Sequence, residues 1–325
     1  MSGDGVPVGD AALHPDWPEA RFNVSGMFTH HPLVLQLMAM VQKAFGCQLP
    51  IEALHGAPAV PWNAGRTMKA LPPADEFVKV LIQLHSKNIG YFPTFSNHLV
   101  QSSDLSNTVC NGILDSIVQR PNLNAVIIVS DLLSKYIAER YPALRQIASI
   151  IKVSLDGGRG KPEYYSELGK RFWRYVVHPD DIRDLKLMDQ LDRDKAEIIV
   201  NENCVADCPT RMRHYTAYAA WQRAPNEMER QIVNQELEQI VAGCQSPFHL
   251  HRLGNQRRSC NLTRQEIRTL YEMGFRRFKL QGRLDDPWSY SYDLIRFTLE
   301  PEFAAPLMYK SLCRWLEKAV TRVKS

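Results

Sequence analysis

Apolar residues recur along this chain in two alternating rhythms. Eight short runs are rich in β-branched or aromatic residues: "FNVSGMF" from Phe22, "IEALHG" from Ile51, "IGYFPTF" from Ile89 and "NAVIIVS" from Asn124. The other four are "IASIIKVSL" from Ile147, "RYVVHP" from Arg174, "AEIIVNE" from Ala196 and "RRFKLQG" from Arg276. Several are nearly continuous in apolar side chains, the pattern of parallel strands buried on both faces. Between them, segments such as "HPLVLQLMAMVQKAF", "PADEFVKVLIQLHSKN" and "LSNTVCNGILDSIVQR" place apolar residues at helical spacing. Strand and helix alternating eight times predict an α/β fold, a (β/α)8 TIM-type barrel. An open doubly wound sheet is the alternative, with no Gly-rich phosphate loop to support it.

Helix punctuation fits this reading. "HPDDIRDLKLMDQL" puts Pro179 and two aspartates where a first helical turn would use them. "LTRQEIRTLYEMGF" sets Thr263 three residues before Glu266, a capping box, and ends at Gly274. Two segments depart from the repeat. About seventy residues, 203–275, separate the seventh and eighth strands, too many for one barrel helix and its loops. After the eighth strand come "DDPWSYSYDLIRFTLEP" and a final amphipathic helix, "APLMYKSLCRWLEKAVTRV". The expected organisation is a loose arm over residues 1–20 and one barrel domain over 21–325, with the insertion and the C-terminal helix.

Composition adds exclusions. The chain has 325 residues, 45 % hydrophobic and 23 % charged, ordinary for a globular protein large enough to need no staples. A formal charge of +4 leaves no electrostatic footprint for nucleic acid. Neither a membrane-spanning apolar run nor a signal-peptide pattern is evident, so a cytoplasmic protein without membrane contact is expected. Seven cysteines in that setting are reduced thiols or metal ligands.

Barrel chemistry sits at the C-terminal ends of the strands. Those ends carry Ser25, Glu52, His55, Thr94, Ser96, Asn97, Lys152, His178, Asn201, Glu202, Cys204, Lys279, Gln281 and Arg283. His178 and Glu202 are proton-transfer candidates. Lys279 and Arg283 make a cationic corner suited to a carboxylate or phosphate, with Lys279 also a catalytic candidate. Asn97, Asn201 and Gln281 complete the expected substrate contacts. The chain contains neither G-x-x-x-x-G-K-[ST] nor G-x-G-x-x-G, and neither G-x-S-x-G nor H-E-x-x-H.

The densest signal is "NENCVADCP". Cys204 and Cys208 lie just past a buried strand, at a spacing that turns two sulfurs to one side of a helix start. Cys244 and Cys260 belong to the same insertion. Four cysteines suit a [4Fe–4S] cluster, and zinc is the competing metal. His249 and His251 are alternative ligands, whereas Cys47, Cys110 and Cys313 fall on apolar helical faces and read as core.

The layout resembles the peptidase U32 family: a barrel, cysteines after the seventh strand, then "GFRRFKLQGR", where that family typically reads G-[IV]-x-x-[FL]-K-[IL]-E-G-R. Despite its name, the family comprises largely iron–sulfur enzymes and accessory proteins of oxygen-independent hydroxylation, acting on ubiquinone precursors and RNA bases. Some members are regarded as collagenase-like proteases. Lys279, Gly282 and Arg283 fit the motif, Gln281 replaces the usual glutamate, and the family's cysteine block is more compact than Cys204 to Cys260.

The resulting expectation is an enzyme with a [4Fe–4S] cluster on Cys204, Cys208, Cys244 and Cys260. It would carry out redox or hydroxylation chemistry on a small anionic or aromatic substrate. The alternatives are a cluster-bearing, non-catalytic subunit that works with a sister subunit or an electron-donor protein, and a U32-type peptidase.

Overall fold

The computed structural model describes residues 9–56, 59–65, 71–244, 259–282, 287–310 and 313. In chain order the barrel begins β1 (Arg21–Ser25), α1 (His31–Phe45), β2 (Ile51–Gly56), α2 (Ala74–His85), β3 (Gly90–Phe95) and α3 (Thr108–Ile117). It continues through β4 (Ala125–Ile128), α4 (Asp131–Arg140), β5 (Arg145–Ala148), α5 (Ile150–Leu155) and α6 (Pro162–Arg171). Next come β6 (Arg174–Val176), α7 (Leu185–Asp189) and β7 (Ala196–Ile199). The insertion supplies β8 (Asn201–Val205), α8 (Arg211–Arg223), α9 (Glu227–Ala242) and β9 (Ser259–Asn261). α10 (Arg264–Glu272), β10 (Arg277–Leu280) and α11 (Pro287–Thr298) finish the cycle.

Eight strands close into one barrel in the order β1-β10-β7-β6-β5-β4-β3-β2, with every pairing parallel. This is the expected (β/α)8 architecture: seven of the apolar runs carry its strands, and the fifth run supplies only the last two residues of the fifth strand. The reason is burial: β3, β4, β6 and β7 are buried at every position, so neither strand face can be polar without a partner inside. Gly90 opens β3 because a Cβ there would lie 2.0 Å from the Leu123 carbonyl oxygen. The floor, at the N-terminal strand ends, is sealed by charge. Arg174 donates to Glu52 at 2.8 and 2.6 Å, and the Arg145 and Arg174 guanidinium groups stack on Trp173 at 3.8 and 3.7 Å. Glu52 therefore belongs to the floor, not to the mouth.

Three expectations about elements change. The fifth strand stops at Ala148, because the Ser149 hydroxyl caps the next segment by accepting from the Ile151 amide. Lys152 consequently rides on α5 and pairs with Asp131 at 3.0 Å and Asp156 at 3.1 Å. The helix expected from Pro179 begins only at Leu185, capped by Asp184, which frees the preceding aspartates for other partners. Residues 9–20 are packed rather than loose. Trp17 is buried, stacks on His14 and donates to the Phe297 carbonyl at 2.7 Å, and Leu13 pairs with Leu299.

The insertion begins earlier than expected, at Asn201, where β8 leaves the barrel and pairs antiparallel with β9. α8 and α9 have a small core of their own, Ala217, Leu237 and Ile240. α8 is tied to the loop after β3: Asn97 Nδ2 donates to the Ala219 carbonyl at 3.0 Å, and His98 Nε2 lies 3.1 Å from Thr216 Oγ1. The insertion thus reaches across the mouth. α10 carries the expected capping box, with the Glu266 amide 3.2 Å from Thr263 Oγ1 and the Thr263 amide 2.8 Å from Glu266 Oε2. Beyond α11, residues 301–310 are helical, and Leu307 and Ala304 join the core. Leu312, Trp315 and Leu316 lie outside the described residues.

Candidate functional site

Alternation along the strands decides which residues face the barrel axis. Ser25, His55, Thr94 and Lys279 come from β1, β2, β3 and β10, and all line a cavity at the C-terminal mouth. Ile127, Val176 and Ile199 form its apolar wall with Ile150 and Ile151. Glu202 from β8, Gln281 after β10 and Tyr215 from α8 supply the upper rim. One side is therefore greasy and the other carries charge and hydroxyls.

Beneath the polar side runs a connected chain of side chains. Lys279 Nζ lies 3.4 Å from Glu197 Oε1, both residues being buried. The same oxygen accepts from Asn23 Nδ2 at 2.9 Å, and Asn23 Oδ1 is 2.8 Å from His55 Nδ1. An amide oxygen only accepts, so His55 carries its proton on Nδ1 toward Asn23. Higher up, Glu202 Oε2 accepts from Gln281 Nε2 at 2.6 Å and Glu202 Oε1 from the Cys204 amide at 3.1 Å. Ser25 Oγ, Thr94 Oγ1 and Glu197 Oε2 are buried without a hydrogen-bond partner. A buried polar atom left unsatisfied costs about 1–3 kcal/mol, so Ser25 and Thr94, which line the cavity, mark where a polar ligand is worth most.

A second polar cluster lies under the insertion, outside the cavity. Arg211 at the start of α8 grips Asp180 with both terminal nitrogens, at 2.8 and 2.9 Å, and donates to the Val205 carbonyl at 2.7 Å. Its Nη1 is 3.1 Å from His178 Nε2, and its Nη2 is 3.6 Å from Cys260 Sγ. Burial and the Arg211 charge push the His178 imidazole down to about 3, so the ring stays neutral. Against the cost of burial, the Arg211 hydrogen bonds and charge hold the Asp180 carboxyl below its ordinary range. The cluster anchors the insertion to the loop after β6.

These two clusters divide the residues expected from sequence. Lys279, Glu202 and Gln281 meet at the cavity. His178 does not: it is 1 % exposed, and its Nε2 lies 3.1 Å from Arg211 Nη1 in the second cluster. Asn97 is used structurally, with Nδ2 donating to the Pro61 and Ala219 carbonyls and Oδ1 accepting from the Leu99 amide. Asn201 is used similarly. It clamps the Gln281 backbone in both directions, at 2.9 and 2.7 Å, and donates to Asp293 at 2.8 Å. Arg283, His249 and His251 lie outside the described residues. Sequence reasoning missed Glu197, Asn23, Asp180 and Arg211. Glu197 did leave a signal, as the single charge inside the apolar run "AEIIV".

The cysteines separate as well. A turn through Asp207, at φ 49°, brings Cys208 back to Cys204. Interaction with the Cys204 thiol lowers the Cys208 thiol to about 5, helped by Thr210 and Arg211, and interaction with Cys208 together with burial pushes Cys204 well up. Cys260 sits on β9 against Arg211 and Asp180, where burial raises it to about 12. Cys244 lies just past α9 and is half-buried. Among the described residues no three His, Cys, Asp or Glu side chains are grouped to hold a metal ion. As arranged, no three of the four cysteines are grouped, and a guanidinium stands beside Cys260. Cys47 and Cys110 are core residues, as their apolar settings imply.

No family model matches the chain, and no curated protein matches it. Among solved structures it is similar to one titled "The Structure of the U32 Peptidase Mk0906", at 12 % identity and a TM-score of 0.48. The similarity covers 87 % of this chain and 96 % of that one.

Proposed function

We propose that this protein is a barrel enzyme that acts on a small anionic or aromatic molecule in the cavity at its C-terminal mouth. One observation carries the reading: a buried ammonium, Lys279, faces a cavity where the hydroxyls of Ser25 and Thr94 have no partner. In a site screened from water, an ammonium and two donors hold an oxyanion far better than they would in solution. The apolar wall of Ile127, Val176 and Ile199 suits the rest of a ligand with one charged end. Lys279 binds the anionic group, Gln281 orients Glu202, and Glu202 is the proton-transfer residue next to the ligand.

Thermal unfolding against a panel of small carboxylates, phosphates and phenols tests this. At least one class should raise Tm in the wild-type protein, with the shift lost in Lys279→Ala. A panel without effect, or a shift that survives in that variant, would refute it.

A metal centre in the insertion is a second reading, favoured by the contact between Cys204 and Cys208. A [4Fe–4S] cluster would need Cys260 drawn away from Arg211 and Cys244 brought in, and zinc would need a comparable set. Anaerobic purification with visible and EPR spectra and metal analysis decides it. About four irons per chain would establish the cluster, one zinc a structural clip, and neither would remove the reading.

A further inference from the structure

Lys279 is one end of a line of four side chains drawn from four consecutive barrel strands, β7, β10, β1 and β2. Every link in the line has a direction. His55 Nδ1 donates to Asn23 Oδ1 at 2.8 Å, and Asn23 Nδ2 donates to Glu197 Oε1 at 2.9 Å. Turning the Asn23 amide over would set its oxygen against the carboxylate and its NH2 against the histidine N–H, two repulsions in place of two bonds. The orientation of Asn23, the tautomer of His55 and the negative charge of Glu197 therefore require one another. Glu197 is 1 % exposed, and the groups bound to its Oε1 are the Asn23 amide and the Lys279 ammonium.

We propose that Glu197 is the positioning residue of the mouth site. Held by the Asn23–His55 pair, it keeps Lys279 protonated and aimed into the cavity, so that the site is built for an anion. This rests on the functional reading above, in which Lys279 binds the substrate. Among the described residues, other charged or titratable groups around Lys279 include Glu202 from β8, His55 from β2, Tyr215 from α8 and, two residues back on its own strand, Arg277. Glu202 is engaged with Gln281 and the Cys204 amide, which leaves Glu197 as the carboxylate 3.4 Å from the ammonium. Replacing it by an amide removes the counter-charge while keeping shape and burial. The ammonium then sheds its proton more readily, because burial disfavours the charged form and the counter-charge 3.4 Å away is gone.

The test reads Lys279 directly. Trace acylation of the intact protein at a series of pH values, followed by peptide mass spectrometry, yields the pH of half-maximal labelling at Lys279. The exposed Lys79 serves as an internal control. In Glu197→Gln the Lys279 midpoint should fall by about one pH unit or more, the size of shift expected from losing an opposite charge at this range. Asn23→Ala, which removes the amide but no charge, should move it the same way by less, and Glu197→Asp should restore part of it. Lys79 should not move. An unchanged midpoint in Glu197→Gln overturns the proposal. If that variant does not fold, an unchanged midpoint in Asn23→Ala overturns it instead. The ligand panel and the labelling are independent. A midpoint that falls while no small molecule binds removes the functional reading and leaves the positioning role standing.

Discussion

Mild acid should destabilise this fold in a way that traces to one ring. His178 is buried against Arg211, and its imidazole is pushed from 6.5 down to about 3. As pH falls through 6.5 the unfolded chain binds a proton there that the folded protein refuses until about pH 3. The histidine's contribution is thus complete above pH 6.5 and drains away between 6.5 and 3. One proton of difference corresponds to a limiting slope of about 1.4 kcal/mol per pH unit; because the unfolded ring is half protonated at pH 6.5, the loss between pH 6.5 and 4.5 is roughly 2.3 kcal/mol. Other histidines with lowered values, such as His14 at about 4, share this window, so the comparison must be with a variant. His178→Asn keeps an acceptor for Arg211 and cannot titrate. Urea unfolding at constant ionic strength, at pH 6.5, 5.5 and 4.5, should show a mean slope in the variant about 1.2 kcal/mol per pH unit shallower than in the wild type. Equal slopes, or an NMR titration placing the His178 ring near 6.5, would refute the argument. The absolute stability of the variant does not enter, because the slope alone reports the proton.

Three further outcomes follow from named contacts. At pH 7 a haloacetamide should modify Cys208, whose thiol is lowered to about 5, well ahead of the buried Cys110 and Cys260, both raised to about 12, and Cys204→Ala should slow Cys208; equal rates by peptide mapping would contradict the assigned sulfur contact. Glu52→Ala strands the buried Arg174 guanidinium on Trp173 and should cost about 3 kcal/mol in urea unfolding, because an unpaired buried charge is worse than none; a loss below ~1 kcal/mol would show the floor is not held by this pair. Thr263→Ala removes the cap of α10 and should cost about 1 kcal/mol, with hydrogen exchange rising first in that helix; uniform exchange would argue against a local cap.

Much of the barrel was legible because burial on both faces writes itself into a strand as an unbroken apolar run. That is why "NAVIIVS" and "AEIIVNE" could be read without tertiary information. The helix starting at Arg264 was legible too, because its capping box is a contact between residues three apart. Boundaries were less so: nothing in "IASIIKVSL" separates a strand ending at Ala148 from the helix that Ser149 caps. Side-chain direction was hidden for the same reason. Lys279, Glu202 and Gln281 were recognisable as polar residues at strand ends, but so were Asn97, Asn201 and His178, which the fold spends on backbone carbonyls, an aspartate and an arginine.

By itself, then, the sequence determined the strands and helices and the mouth as the place for chemistry, since these follow from local periodicity and short-range caps. Only the tertiary structure decided the partners. The parallel register sets Lys279 beside Ile199, and so brings its ammonium to Glu197 two residues earlier on the same face of β7. The joining of Arg211 to Asp180, thirty-one residues apart, likewise depends on how the insertion folds back over the barrel. Such pairings are set by three-dimensional closure, and no spacing along the chain encodes them.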